Sequence, residues 1–195
     1  MTSTTSPAST PPTPPTPSTL GFAILAVLAR GNRTGYDLAA AMRRPVGYFW
    51  TARHSQIHAE LQKLRAACLI AYESEHGPGP QDKKVYHLTP EGRRALRAWV
   101  TEPPRERPER DELVLKAYAS WLAEPGMVRR MFAEQLAAHE ERLAEYERHE
   151  ASFGGPPALG DPRFGNYATL LCGLGYERHR IEWCRWMLSR LDDDA

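Results

Sequence analysis

The chain has few cysteines, no long apolar run and almost no net charge. Its 195 residues include three cysteines. Cys68, Cys172 and Cys184 lie among apolar residues without CxxC spacing, so we expect buried thiols of a reducing compartment. No apolar stretch approaches the roughly 20 residues of a membrane-spanning helix, and a net charge of +1 gives no overall sign of a nucleic-acid binder. The expectation is a soluble, cytoplasmic protein without a membrane anchor.

Motifs of catalysis and of metal binding are also missing. The sequence contains no Gly-rich phosphate loop, no nucleophile elbow and no paired carboxylates. His54 and His58 stand four residues apart, as two zinc ligands on one helix face would. However, Ser55 occupies the place of the glutamate of a HExxH motif, and no third ligand suggests itself. We expect no enzyme activity, no metal and no cofactor.

Charge and composition divide the chain into segments. Residues 1–17 are almost entirely Ser, Thr and Pro without the features of a secretory signal, and we expect them to form a disordered tail. Residues 18–100 hold 12 Lys/Arg against six Asp/Glu, whereas residues 101–195 hold 13 against 18. The first half is therefore suited to a polyanionic partner and the second half is not.

Residues 18–100 show the order helix, helix, helix, hairpin, helix. Ile57, Leu61 and Leu64 recur at helical spacing, and Thr34 and Thr89 are good helix caps. The expected elements are a helix from Leu20 that stops at Gly31-Asn32, helices over 35–42 and 54–67, strands over 69–74 and 83–88 around a turn at 76–81, and a helix from Thr89-Pro90-Glu91 to Val100. This order is typical of a winged helix-turn-helix domain.

The patterns in the remainder of the chain predict an all-helical domain. Residues 101–110 are dense in Pro and charge and predict a linker. The helical domain is expected over 111–191, with helices over 112–122, 127–152 and 163–191, before an acidic tail at 192–195. The fold class is therefore mainly α (α+β), with an N-terminal winged helix-turn-helix and a C-terminal helical dimerisation domain.

The last two predicted helices carry apolar stripes. Steps of three and four residues give both stripes, and the first of them is a heptad stripe that is imperfect at two positions, His139 and Glu150. The last helix has a second apolar face, so a homodimer is the simplest way to cover both faces. The predicted dimer interface comprises Phe132, Leu136, Leu143, Tyr146, Leu170, Leu174, Ile181 and Leu188.

The exposed face of the third helix is suited to a DNA groove. Ser55, Gln56 and His58 are small or hydrogen-bonding, and Gln56 can pair bidentately with adenine or contact a phosphate. Thr34 and Tyr36 are candidate phosphate ligands, although Tyr36 suits a core position equally well. The predicted DNA contacts are Thr34, Tyr36, Ser55, Gln56, His58, Lys63, Lys83 and Lys84. The alternative is an exposed polar helix face and, for the two hairpin lysines, a solvated turn.

Several segments together resemble one family of bacterial regulators. Thr34-Gly35-Tyr36-Asp37-Leu38, Phe49-Trp50, Ser55-Gln56-Ile57-His58-Ala59-Glu60-Leu61 and Thr89-Pro90-Glu91-Gly92 are similar to the PadR family. In the second half, Asp111-Glu112-Leu113 and Tyr176-Glu177 with Glu182-Trp183 fit its longer branch, typified by the AphA-type virulence activators. The resemblance covers roughly residues 18–191. His58 departs from it, since many relatives have Tyr there.

The resemblance implies a homodimeric transcriptional regulator that binds a double-stranded, pseudo-palindromic operator. Two copies of the third helix would enter successive major grooves about 34 Å apart. Repression is the expected mode, with activation open in the AphA-like branch. Family members often bind flat aromatic effectors, and Trp121, Trp183 and Trp186 are candidates for such a pocket, although Trp at helical spacing more often packs in a core.

Two other functions stay open at the level of sequence. In the first, the winged helix is a protein–protein interaction module without specific DNA binding. In the second, the chain is a drug-sequestering or metal-dependent enzyme, a hypothesis that depends only on the aromatic residues and the two histidines.

Overall fold

The computed structural model describes residues 16–42, 54–76, 82–104 and 110–193. The chain divides into two compact units, Met1–Pro103 and Pro104–Ala195, and the division falls inside the segment that the sequence predicts as a linker. The predicted tail as far as residue 15, the Phe49-Trp50 pair, the turn over 77–81 and most of the linker (105–109) lie outside the described residues. Among the described residues, no helix is long and apolar enough to cross a membrane.

The first unit has the element order that the sequence predicts, with one addition. Its elements are α1 (Thr19–Leu28), β1 (Arg33–Thr34), α2 (Gly35–Ala41), α3 (His54–Ala66), β2 (Ile70–Glu75), β3 (Lys83–Leu88) and α4 (Pro90–Thr101). The strands form an antiparallel sheet in the order β1-β3-β2. The two-residue strand β1 was not predicted, because it pairs only through Arg33 and Thr34 with the middle of β3.

The core of the first unit surrounds α1. Ile24 and Leu25 of α1 are fully buried, and the side chains of Ile57, Leu61 and Leu64 cover them from α3. On another side of α1, Phe22 stacks on Trp99 of α4 with ring centroids 4.6 Å apart. Because α3 buries this one face, its opposite face is left to solvent.

The end of α3 is closed by a left-handed residue. Cys68 has φ 57°, the amide of Cys68 donates to the carbonyl of Arg65, and the amide of Leu69 donates to that of Leu64. This pair of bonds is a Schellman motif, which normally favours glycine at the left-handed position. The thiol of Cys68 is exposed.

The expectation of three buried cysteines is therefore wrong for two of them. Cys68 lies outside the core because the helix has already ended there, and Cys172 is exposed on the last helix. Cys184 is buried, and its burial raises the pKa of the thiol above the ordinary value.

The second unit is helical throughout its described residues. It contains α5 (Glu112–Tyr118), a 3₁₀ turn (Ser120–Leu122), α6 (Pro125–Ala151) and α7 (Pro162–Asp193). The single helix predicted over 112–122 is thus a short helix followed by a 3₁₀ turn. Helices α6 and α7 run antiparallel, since Glu140, Glu147 and Glu150 of α6 contact Arg185, Arg178 and Tyr167 of α7 in that order.

The predicted stripes of α6 and α7 lie largely within this one chain's own core. Five of their members are almost fully buried without a second copy: Phe132, Tyr146, Leu170, Leu174 and Ile181. The other three, Leu136, Leu143 and Leu188, are half-buried. The heptad spacing is therefore explained by the packing of α6 on α7 and does not by itself require a partner subunit.

Candidate nucleic-acid interface

The exposed face of α3 carries the residues that are predicted to contact base edges. Ser55, Gln56 and His58 are all exposed, on the side opposite Ile57 and Leu61. At 100° per residue, Ser55 is near the centre of this face and His58 is on the flank shared with Arg65. The helix thus presents short hydrogen-bonding groups outward, as direct base readout needs.

Lys63, on the other flank, is not a free cation. Its Nζ lies 3.3 Å from Oε2 of Glu60, and Glu60 is only 5% exposed. The same carboxylate accepts a 2.6 Å hydrogen bond from the hydroxyl of Ser18, which caps α1. Glu60 therefore ties α3 to the start of α1 and partly neutralises Lys63.

The start of α2 is organised by a capping box. The Thr34 hydroxyl accepts a 3.1 Å hydrogen bond from the Asp37 amide, and the Asp37 carboxylate accepts bonds from both the hydroxyl and the amide of Thr34. These bonds hold the pKa of Asp37 below its ordinary value of 3.8. The hydroxyl of Thr34 is thus engaged within the protein, whereas Tyr36 is 73% exposed, which excludes the core role left open for it.

A cleft of about 460 Å³ joins the start of α2, the flank of α3 and the beginning of β3. Five of the eight predicted DNA contacts line it: Thr34, Tyr36, His58, Lys83 and Lys84. The remaining lining residues include Asp37 and Asp82. The structure therefore brings the helix flank and the hairpin lysines to one surface, while Ser55, Gln56 and Lys63 do not line this cleft.

The sequence interpretation missed Arg65 and Tyr72, which form a cluster with Lys84. The ring of Tyr72 on β2 has the Lys84 ammonium 4.9 Å from its centroid and the Arg65 guanidinium 5.5 Å from it. Tyr72 also packs against its cross-strand neighbour Tyr86. One ring thereby gathers a cation from α3 and a cation from the hairpin. The only sequence signal was the position of Arg65 seven residues after His58, a spacing that places both residues on the same flank of α3.

Family comparison agrees with this architecture in both halves of the chain. The transcriptional regulator PadR-like family matches residues 24–98, and the virulence activator alpha C-terminal family matches residues 109–192. The negative transcriptional regulator PadR of Bacillus subtilis is 32% identical over 180 residues, which cover 90% of this chain and 98% of that protein. The chain belongs to the PadR-like family. It is a transcriptional regulator and not an enzyme.

Solved structures are similar to this PadR-like regulator over nearly its whole length. Bacillus subtilis PadR in complex with operator DNA matches with a TM-score of 0.81 at 29% identity, over 89% of this chain and 99% of that one. The same protein in complex with p-coumaric acid gives 0.75 at 30% identity, over 89% and 98%. The Vibrio cholerae virulence activator AphA gives 0.73 at 29% identity, over 91% and 100%. The expected winged-helix fold with an AphA-like helical domain is confirmed.

The three tryptophans predicted to line an effector pocket differ in their environment. Trp183 packs its edge against Phe132, with centroids 5.6 Å apart, and belongs to the core of the helical unit. Trp121 and Trp186 are 79% and 54% exposed. No ring contact among the described residues joins the three, so the pocket stays a prediction.

Proposed function

We propose that this regulator acts as a homodimer on a pseudo-palindromic operator, with α3 of each copy in the major groove and the hairpin against the backbone. The observation that carries the proposal is the gathering of Tyr36, His58 and Lys84 around one cleft beside the exposed polar face of α3. The relative solved in complex with operator DNA supports it, because its structure is similar over 89% of this chain.

The residues divide between base readout and backbone contact. Ser55, Gln56 and His58 offer hydrogen bonds to base edges, and the amide of a glutamine such as Gln56 can pair bidentately with adenine. Lys83, Lys84 and Tyr36 would contact phosphates. Thr34 would do so only if its hydroxyl left Asp37, and Lys63 only if its ammonium left Glu60.

A second copy of the chain is proposed to cover the apolar surface of the helical unit. Large apolar side chains are exposed along α5, the 3₁₀ turn, the start of α6 and α7: Val114, Leu115, Tyr118, Trp121, Leu122, Met127, Leu171, Tyr176 and Trp186. Large exposed apolar surfaces often mark protein–protein interaction sites. The half-buried Leu136, Leu143 and Leu188 would join this interface from α6 and α7.

Repression is proposed as the mode of action, through occlusion of a promoter. The support is the similarity to a relative described as a negative transcriptional regulator. A small aromatic effector is proposed to bind the helical unit near Trp121 or Trp186 and to weaken operator binding. This part is supported by the relative solved with p-coumaric acid.

The test is a selection of genomic DNA fragments by the purified protein at physiological salt, with sequencing of the retained DNA. Enrichment of a pseudo-palindrome, with a dimeric mass in solution, is the expected result. The variant Gln56→Ala/His58→Ala should lose the enrichment, whereas Lys116→Ala, which breaks an exposed ion pair with Glu112 in the other unit, should keep it. No enrichment above competitor DNA would favour the protein–protein interaction module instead.

A further inference from the structure

Helix α5 is weakly attached to the rest of the helical unit. It is the first helix after the predicted linker, and none of its residues is buried. Leu113 and Ala117 are half-buried against the cluster of Val128, Phe132 and Cys184. The orientation of α5 therefore depends on few contacts, and those at its first turn matter most.

The strongest contact at that turn is an ion pair with α7. Asp111 caps α5 by accepting a 3.0 Å hydrogen bond from the amide of Val114. Its Oδ2 also contacts Nη2 of Arg180. Arg180 is only 7% exposed, although a charged side chain is costly to bury without a partner.

Arg180 is held on its other sides as well. Its Nε donates a 2.9 Å hydrogen bond to the hydroxyl of Tyr176. Its guanidinium lies 5.1 Å from the ring centroid of Tyr176 and 5.4 Å from that of Trp183. A planar guanidinium that contacts Asp111 and Tyr176 and lies near the ring of Trp183 has little freedom to move, so the position of Arg180 limits the position of Asp111.

This anchor is continuous with a buried polar pair between α6 and α7. The ring of Tyr176 packs on that of His139, with centroids 6.4 Å apart. His139 lies 2.5 Å from Glu177, atom Nδ1 to Oε2, and Arg142 donates to Oε1 of the same carboxylate at 3.3 Å. In some proteins a buried polar pair of this kind specifies the register of two packed helices, and we infer the same role here. Arg180 is thereby fixed relative to both helices.

We infer that Asp111 and Arg180 are positioning residues for operator binding. Their ion pair fixes the point at which the chain leaves the helical unit towards the DNA-binding unit, and so restricts the separations that the two DNA-binding units of a dimer can reach. Neither residue contacts DNA. The inference rests on the proposed function, because it needs two half-sites read by one dimer.

The test compares operators whose half-site spacing is altered by one or two base pairs, together with a single half-site. The variants are Asp111→Asn, Arg180→Gln and the double variant; asparagine caps helices as well as aspartate does, so Asp111→Asn keeps the start of α5. The matched control is Arg185→Gln, which breaks the exposed α6–α7 ion pair with Glu140. All are used as the full chain, with circular dichroism and thermal unfolding recorded beside the affinities.

For the wild type and the control we expect tight binding only at the natural spacing. The variants should bind that operator about 5- to 10-fold more weakly, because a looser linkage lowers the effective concentration of the second unit. They should bind the altered spacings as well as the wild type or better, and the single half-site equally well. The double variant should be no weaker than the weaker single variant, as expected for one shared interaction.

Two results would overturn the inference while leaving the proposed function intact. One is a wild-type spacing preference in all three variants. The other is an equal loss on every DNA, half-site included, which would assign the ion pair to folding alone. A wild-type protein without any spacing preference would instead contradict the proposed dimeric function, and this inference with it.

Discussion

The carbonyl oxygen of Leu69 lies against the Cα of Gly92, so that a β-carbon on Gly92 would overlap this oxygen and would also lie 2.9 Å from Cδ1 of Leu88. The neighbouring Thr89 ties the same junction, since its hydroxyl donates to the carbonyl of Cys68 at 2.8 Å and accepts from the amide of Gly92 at 3.0 Å. The end of α3, the start of β2 and the start of α4 thus meet at one glycine.

Replacement of this glycine should be costly. Gly92→Ala would force α4 away from Leu69 and should lower the free energy of unfolding of the first unit by about 2–3 kcal/mol. Urea denaturation followed by circular dichroism measures the change. Gly175→Ala is the control, because nothing lies within 4 Å of its added β-carbon and α7 is helical there. That substitution should be neutral or slightly stabilising, and an equal loss in both variants would contradict the steric argument.

Substitution of Cys68 should act in the opposite direction. Cys68→Gly places the preferred residue at the left-handed end of α3, and we expect about 0.5–1 kcal/mol of added stability, measured as a rise in Tm. Cys68→Val should lower stability, since a β-branched residue is disfavoured at positive φ. If both variants melt at the wild-type temperature, the left-handed conformation of Cys68 is not a source of strain.

The capping box of α2 predicts a pH dependence. The hydrogen bonds from Thr34 lower the pKa of Asp37 in the folded protein below 3.8. The contribution of the Asp37 carboxylate to the free energy of unfolding is therefore complete above the pKa that Asp37 has in the unfolded chain. It is lost as the pH falls through the lowered pKa of Asp37 in the folded protein. In Thr34→Ala the pKa of Asp37 should return towards 3.8. A carboxyl NMR titration of both proteins measures this shift, and identical titration curves would contradict the assignment.

The hairpin and helix lysines should differ in their contribution to DNA binding. Lys84→Ala should weaken operator binding and reduce the slope of log K against log salt by about 0.9 for each phosphate that the protein no longer neutralises. Lys63→Ala should change the slope less, because Glu60 already partly neutralises Lys63. Titrations at several salt concentrations give both slopes. An unchanged slope in Lys84→Ala would remove this lysine from the interface.

The effects of substituting His139 and Glu177, the buried pair between α6 and α7, on the free energy of unfolding should be strongly coupled. His139→Leu alone removes one of the two partners of the buried Glu177 carboxylate, which keeps its contact with Arg142, and should destabilise the helical unit by about 1–3 kcal/mol. His139→Leu/Glu177→Leu removes both polar groups and should recover much of that loss. A double variant as unstable as the sum of the two single variants would show that the pair is not coupled.

Local patterns predicted most of the elements to within a few residues. Thr34 and Thr89 marked helix starts because a capping hydroxyl acts on amides only two or three residues away. The spacing of Ile57, Leu61 and Leu64 identified the buried face of α3 for the same local reason. The strand β1 was missed, because two residues carry no periodicity and depend on pairing with β3.

The candidate site was predicted in part. The exposed face of α3 and the hairpin lysines follow from sequence, since a helix that buries one face must expose the other. The cluster of Arg65, Tyr72 and Lys84 was missed, because its members come from three elements that only the packed fold brings together. The exposure of Tyr36 likewise depended on what α2 packs against.

The sequence by itself determined most of the segments that become helices and strands, where several of the helices are capped, and that the chain has a basic half and an acidic half. Only the tertiary structure decided which surfaces cover each other. The apolar stripes of α6 and α7 pack largely against one another within a single chain. His139 contacts Glu177, and Arg180 contacts Asp111 at the start of α5. Periodicity specifies that a face is apolar, but the identity of its partner depends on contacts between residues distant in sequence.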